Sequence, residues 1–315
     1  MYDTVEMIIN RADAGNINLI EHVTPLLKKV NMSYYKDNDR ASWSGYADNL
    51  KVIVSENYIK IKDSSLCKYY HGNNFETLTR EETKLVIEKI SDFLHLPMHK
   101  ADVNRIDFAT NFIMLYDLSF YMNRLGYLQY YQRLEQSNGL YYNNSKTSRN
   151  ILKQLVFYNK VADYKAKGLP IPEYYENKNV LRYEIRFLKY LLQQFNLPKL
   201  KAAKLYDEKF FALLLKIWKA EYKRIRKAHD KNKFDFSQLK SIADYYQQGS
   251  IALNILNGGE VKTLKKIAEA QKKGMNRKLA FDIRKKAREA AHSDLLTIPS
   301  DYIVELNEKI DMYSI

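Results

Sequence analysis

Apolar and polar positions alternate along much of the first two-thirds of the chain. Thr4–Ile9 alternates and predicts a strand, and Asn18–Lys29 carries a helical pattern. Leu50–Ser55 and Tyr58–Lys62 alternate around Glu56-Asn57, which predicts a hairpin, and Leu66–Tyr70 reads as a further short strand. Thr79–Leu94 is an amphipathic helix with Thr79 as its cap, Glu82 at capping-box spacing and Pro97 blocking continuation. Ala101–Phe112 reads as a long strand and Leu118–Leu125 as a short helix. Leu128–Leu134, Gly139–Asn143 and Leu152–Tyr158 read as successive strands. Val161–Lys167 is helical and ends at Gly168, Val180–Phe187 is a strand, and Leu188–Phe195 is a short helix stopping before Pro198. Helices separated by antiparallel meanders predict an α+β fold, antiparallel sheets with packed helices, in a layout that also suits two related ferredoxin-like halves. No sequence repeat proves that duplication.

After Pro198 the alternation gives way to helical periodicity over Ala202–Ala228, Phe236–Gln248, Ile251–Leu256, Val261–Lys273 and Arg277–Ala291. The change divides the chain into an expected catalytic domain, 1–197, and an all-helical region, 198–315. Its length of 315 residues suits two domains. Charge follows the same division. The chain carries a net charge of +14, and most of it falls after Pro198. Lys262, Lys265, Lys266, Lys272, Lys273, Arg277, Lys278, Arg284, Lys285, Lys286 and Arg288 crowd two consecutive predicted helices with few acids among them. That pattern favours a phosphate-contacting surface over a merely solvated helix face. The 26 tyrosines offer flat faces for stacking on bases and phenols that can act as nucleophiles, although AT-rich coding would also raise their number. A single cysteine, Cys67, excludes an internal disulfide framework and a cysteine-rich zinc site, and points to a reducing cytosol. No apolar run approaches the roughly 18 residues that span a bilayer, and the acidic opening Met1–Glu6 does not suit a signal peptide.

Three segments could carry chemistry. On the strand over Ala101–Phe112, Arg105 and Asp107 share a face opposite Ile106 and Phe108. On the strand over Val180–Phe187, Arg182, Glu184 and Arg186 share one face and Leu181, Tyr183, Ile185 and Phe187 the other. Charges at alternate positions of apolar strands are costly unless paired or bound to a ligand. If the two strands are neighbours, Asp107 and Glu184 converge among arginines. Two carboxylates suit Mg²⁺ or Mn²⁺ and arginines suit phosphate, while internal ion pairs that fix the sheet are the alternative. The third segment runs from Gly139-Leu140-Tyr141-Tyr142, through a turn with Lys146, to Tyr158 at a strand end with Lys160 two residues on. A phenol has a pKa of about 10, so attack on a phosphodiester needs nearby positive charge or a general base.

Taken in order, Arg105-Ile106-Asp107, Gly139-Leu140-Tyr141-Tyr142 with Asn144-Ser145-Lys146, Phe157-Tyr158-Asn159-Lys160 and Leu181-Arg182-Tyr183-Glu184 resemble the phage/plasmid replication proteins of the gene II/X family. That family includes the rolling-circle initiators of filamentous phages. The likeness covers about residues 1–195. It implies a metal-dependent nickase whose tyrosine attacks origin DNA, becomes joined to the 5′-phosphate and leaves a 3′-OH primer. On this resemblance Tyr158 is the nucleophile, with Tyr141 and Tyr142 as rivals or second tyrosines. Asp107 and Glu184 are ligands of Mg²⁺ or Mn²⁺. Arg105, Arg182 and Lys160 contact phosphate on the same resemblance. Arg186 and Lys146 are further phosphate candidates, and the charge pattern of the basic helices makes Lys265, Lys266, Lys272 and Lys273 the expected contacts to duplex DNA.

The expected partners are origin DNA, single-stranded, hairpin or duplex, and a host helicase and polymerase, with homodimerisation left open. The expected place is the host cytoplasm. A helicase partner follows because the chain has no Gly-x-x-x-x-Gly-Lys-Ser/Thr segment of its own. The chain departs from many such initiators in having no pair of histidines flanking one hydrophobic residue. His95 and His99 are spaced i, i+4, but Pro97 argues against a shared helical face. The other histidines, His22, His71, His229 and His292, are isolated. A non-enzymatic origin-binding protein would explain the basic helices but not the two polar-faced strands. A conjugative relaxase would use the same chemistry for transfer.

Overall fold

The computed structural model describes residues 1–35, 40–137, 139–228, 231–232, 240–291, 297–298 and 300–313. Two compact units emerge. One takes Met1–Ile113 and Gln136–Trp218, the other Met114–Glu135 and Lys219–Ser314. The change of composition at Pro198 and the packing boundary therefore do not coincide.

The first unit is built on an antiparallel sheet. Its strands are β1 (Tyr2–Asn10), β2 (Lys28–Tyr35), β3 (Arg40–Ala47), β4 (Leu50–Val54), β5 (Tyr58–Lys62) and β6 (Asp102–Met114). After β7 (Gln132–Gln136) come β8 (Gly139–Asn143), β9 (Lys153–Asn159) and β10 (Asn179–Phe187). From β2 to β8 the order is β2-β3-β4-β5-β1-β6-β10-β9-β8. The two halves expected from the sequence are thus continuous. β3-β4-β5-β1 is mirrored by β6-β10-β9-β8 about the β1–β6 pair, where Val5 lies opposite Ile106 and Glu6 opposite Arg105. This order makes β6 and β10 neighbours, as the site hypothesis requires.

Side-chain alternation gives the sheet one apolar and one polar face. Val52, Val54, Ile59, Ile61, Phe108, Phe157 and Tyr183 are buried on the apolar side. There Phe157 stacks on Tyr183 with centroids 4.4 Å apart, and Tyr183 on Trp218 at 4.8 Å. Burying such rings adds stacking to the area removed from water by the aliphatic side chains around them.

Among the helices, α1 (Leu19–Val23) is far shorter than the expected Asn18–Lys29. Pro25 lies in a 3₁₀ turn, and Lys29 takes a left-handed conformation (φ 51°) inside a strand the sequence did not announce. Leu66–Tyr70, expected as a strand, is part of α2 (Leu66–His71). The Ser65 side chain accepts from the Lys68 N–H at its start, and Gly72 at φ 77° ends it, so caps override a short alternating run. α3 (Arg80–Leu94) has the expected reciprocal Thr79–Glu82 capping box. The unit also holds α5 (Lys160–Ala166), α6 (Leu191–Phe195) and the first part of α7 (Glu208–Arg224), following α4 (Leu118–Arg124) in chain order.

The second unit is helical, with α4, α8 (Ile242–Leu256), α9 (Glu260–Lys272), α10 (Arg277–Ala291) and α11 (Asp301–Asp311). α8 runs unbroken through Gly249-Ser250, where two helices were expected. The start of that expectation, residues 236–239, lies outside the described residues. Ile267, Ala280 and Ala287 form a small core between α9 and α10, and the Asn254 side chain of α8 donates to the Ala287 carbonyl at 2.7 Å. The first half's expected helix over Leu118–Leu125 is α4, and Tyr121 on it donates to the Glu305 carboxylate of α11.

Candidate active site

The polar face of β1, β6, β9 and β10 carries a cavity of about 210 Å³. Asp107 and Arg105 on β6, Glu184 and Arg186 on β10, Tyr158 on β9 and Lys160 at the head of α5 all line it. Residues scattered over some eighty positions of the chain therefore meet in one place. Asp3, Asn74 and Tyr164 join them.

The charges are held by dense pairing. The Arg105 guanidinium donates to both oxygens of Asp107, at 2.9 and 2.7 Å. Arg182, fully buried, donates to Glu184 Oε2 at 3.1 Å and to Asp3 Oδ2 at 2.5 Å. Arg186 donates to Glu184 Oε1 at 2.6 Å and to the Gln154 side-chain carbonyl at 3.1 Å. Bidentate and charge-assisted bonds of this kind are the strong ones, and they offset the cost of burying so many ions.

Burial works against every charge here, and the partners decide the outcome. Burial opposes ionisation of Glu184, but Arg186 and Arg182 outweigh it and hold the carboxyl below the usual range. Asp107 has burial and the neighbouring Glu184 charge against it, and is pushed up to about 7 despite Arg105. Lys160 is pushed down to about 7, first by burial and then by the Arg182 charge. Burial also drives the Tyr158 phenol well above its ordinary value, with Arg182 and Arg186 pulling the other way.

Lys160 is fixed by an amide that no sequence pattern marks. Asn74 Oδ1 accepts from the Lys160 ammonium at 2.8 Å and from the Tyr164 hydroxyl at 2.5 Å, while its amide nitrogen donates to Asp3. Lys160 Nζ lies 5.8 Å from the Tyr158 ring centroid. Asn74 sits in the loop before α3, at 86 positions' separation from Lys160. Tyr164 could have been found, since Lys160 and Tyr164 are one turn apart on a helix.

The rival tyrosines are separated by strand parity. Tyr141 lies opposite Val156, and so on the Tyr158 face, whereas Tyr142 lies opposite Leu155 and is buried against Phe157 on the apolar face. Neither lines the cavity. Lys146 is exposed in the β8–β9 connection, also outside the lining. Arg182 lies beneath the cavity with no exposed surface.

Asp107 and Glu184 come together as expected, but they do not form a preformed cation cage. Hard divalent ions take six or more oxygen ligands. Here all four carboxylate oxygens accept guanidinium bonds. Among the described residues no group of three or more His, Cys, Asp or Glu could hold an ion. His95 caps α3 with a left-handed backbone and His99 lies in a separate 3₁₀ turn, in keeping with Pro97 splitting the pair. His229 and His292 fall outside the described residues.

Comparison with known proteins places the chain among proteins of DNA replication. Residues 1–209 match the family of the N-terminal part of the replication-associated gene II protein, and the chain belongs to that family. The match spans the whole cavity lining. No curated protein matches in sequence. A solved rolling-circle replication initiator protein from Geobacillus stearothermophilus is similar at 11% identity with a TM-score of 0.43, over 75% of this chain and 88% of that one. No helix among the described residues is long and apolar enough to cross a membrane.

Proposed function

We propose that this replication protein is a site-specific nickase that starts rolling-circle synthesis by covalent attack of Tyr158 on origin DNA. The observation that carries the reading is the convergence of Tyr158, Lys160, Arg105 and Arg186 on one polar cavity. The phenol oxygen bonds to the scissile phosphorus, the bond to the 3′-oxygen breaks, and that oxygen leaves as a 3′-OH carrying a proton. The phosphate stays on Tyr158 as a 5′-phosphotyrosyl ester. The phenol proton must go to a base, and burial brings Lys160 down to about 7, where proton exchange is efficient, while it raises the neighbouring Asp107 carboxyl above its ordinary value. Arg105 and Arg186, partly exposed at the cavity, supply guanidinium groups for the charge that builds on the phosphoryl oxygens. A Mg²⁺ or Mn²⁺ ion at Asp107 and Glu184 requires these arginines to release the carboxylates, so no step is assigned to it.

The test is to incubate the protein with single-stranded origin DNA and Mn²⁺ and to identify the modified tyrosine by peptide mass spectrometry. Tyr158→Phe keeps the ring and its packing. It is expected to bind the DNA as before and to form no adduct. An adduct on Tyr141 moves the nucleophile along the same face. Absence of any adduct with any tested origin strand returns the protein to a non-enzymatic origin-binding role.

A further inference from the structure

Beyond the cavity, the polar face of the sheet carries an organised row of side chains. Strand register places Lys28 of β2 opposite Tyr46 of β3, Tyr46 opposite Lys51 of β4, and Lys51 opposite Lys62 of β5. Met7 pairs with Ile61, so the row continues through Glu6 of β1, which lies opposite Arg105 of β6. Arg105 already lines the cavity. One line thus crosses six strands from the sheet edge to the cavity. At about 4.8 Å between strands it is roughly 24 Å long.

The row is open to a ligand. Tyr46 is 39% exposed, and the Lys28 and Lys62 side chains are 76% and 41% exposed. The partners of Lys28 and Lys62 are the solvent-exposed Asp48 at 3.5 Å and Asp63 at 3.7 Å. Exposed pairs of this length contribute little and are easily exchanged for phosphate. Lys51 has no carboxylate partner among the described residues. Lys60, on the same face one rung away, is held by Glu6 at 3.4 Å. Even with Glu6, Asp48 and Asp63 counted, cations remain in surplus. The opposite face of β4 and β5 is buried by Val52, Val54, Ile59 and Ile61, so only the row's face is free.

We infer that this row is the track along which a single strand of DNA approaches the cavity, with Lys28, Lys51 and Lys62 on successive phosphates and Tyr46 stacked on a base. A spaced line of cations with an interleaved ring suits a single strand, because it meets backbone charge and an unpaired base face together. A duplex hides its bases and would leave Tyr46 unused. The inference rests on the nickase reading for the direction of travel, but its binding surface is tested without cleavage.

The probe is a fluorescein-labelled oligodeoxythymidine read by anisotropy over a salt series, beside a duplex of the same length. The combined variant Lys28→Gln/Lys51→Gln/Lys62→Gln is expected to lose at least about tenfold in single-strand affinity. Its log-affinity against log-salt slope should become shallower by about 0.7 for each lost contact. Duplex affinity should hold. Tyr46→Ala should weaken single-strand binding several-fold with the slope intact, and Tyr46→Phe should restore it. Lys51→Gln alone, at an exposed face, answers the same question if the triple variant fails to fold. Unchanged affinity and slope, or an equal loss on duplex, overturns the track. If these variants bind as wild type while the Tyr158 adduct still forms, the track fails and the nickase reading stands. If the track variants lose binding and no adduct ever forms, the converse holds.

Discussion

Lys160 shows how burial makes a reagent out of an ordinary side chain. Its ammonium is enclosed beside Arg182, with one amide oxygen of Asn74 as its acceptor, and its pKa falls to about 7. A base whose folded pKa lies below its unfolded value binds fewer protons when folded. Stability must then rise with pH between about 7 and the unfolded value, and level off below 7. Wild type should gain on the order of 2 kcal/mol in urea unfolding between about pH 7 and pH 10 from this group, after allowance for relaxation around it. Lys160→Met should lose that gain. The rate of adduct formation should rise through a midpoint near 7 in wild type and lose that limb in Lys160→Met. A rate profile identical in both proteins removes Lys160 from the proton transfer. The sequence revealed Lys160 through its place beside Tyr158. It did not reveal Asn74 or Asp3, whose contacts join residues 71 to 179 positions apart. Such contacts leave no trace in local periodicity.

Strands β6 and β10 differ in how they balance their acids, although both place charges at alternate positions. Asp107 answers to one guanidinium and stands against the Glu184 charge, whereas Glu184 is held between Arg182 and Arg186. Burial and the Glu184 charge push the Asp107 carboxyl up, so its charge contributes less to the fold and Asp107→Asn should cost less stability than Glu184→Gln. Glu184→Gln removes the carboxylate shared by two largely buried arginines, leaving Arg182 to Asp3 and Arg186 to the Gln154 side-chain oxygen, and should cost roughly 3 kcal/mol. Chemical denaturation of the two variants at neutral pH decides the matter, and equal costs would mean that the two carboxylates share their charge evenly. The long strands were legible because a polar face against an apolar one sets a clean two-residue period, whereas the adjacency of β6 and β10 was only a condition of the site reading, which the sheet order meets. β2 was not legible because Lys28, Lys29, Val30, Asn31, Met32 and Ser33 are all exposed, which erases the alternation. α2 was misread because a five-residue apolar run suits either period until its caps are weighed. α8 was split at Gly249-Ser250, where the helix bears the conformational cost of a glycine and continues.

The two units differ in how far their cations are paired with acids. The first unit neutralises most of its cavity arginines with Asp3, Asp107 and Glu184. The second presents Lys265, Lys266, Lys272 and Lys273 on α9 and just beyond it, exposed and with no carboxylate partner among the described residues. Lys266 bonds only to the Asn257 side-chain oxygen, at 2.8 Å. Lysines held this loosely gain little from the fold and are free to replace counterions on a phosphate backbone. Reversing all four to glutamate should leave the fold intact, because none belongs to the Ile267, Ala280 and Ala287 core. Duplex affinity should fall steeply, and the slope of log affinity against log salt should become shallower by roughly 0.9 per lost contact. Adduct formation on a short single-stranded origin fragment should continue at the wild-type rate, since Tyr158 and its partners all lie in the first unit. An unchanged salt slope would mean that α9 is a solvated helix face. Loss of the adduct together with duplex binding would mean that the basic helices act in the cleavage step itself.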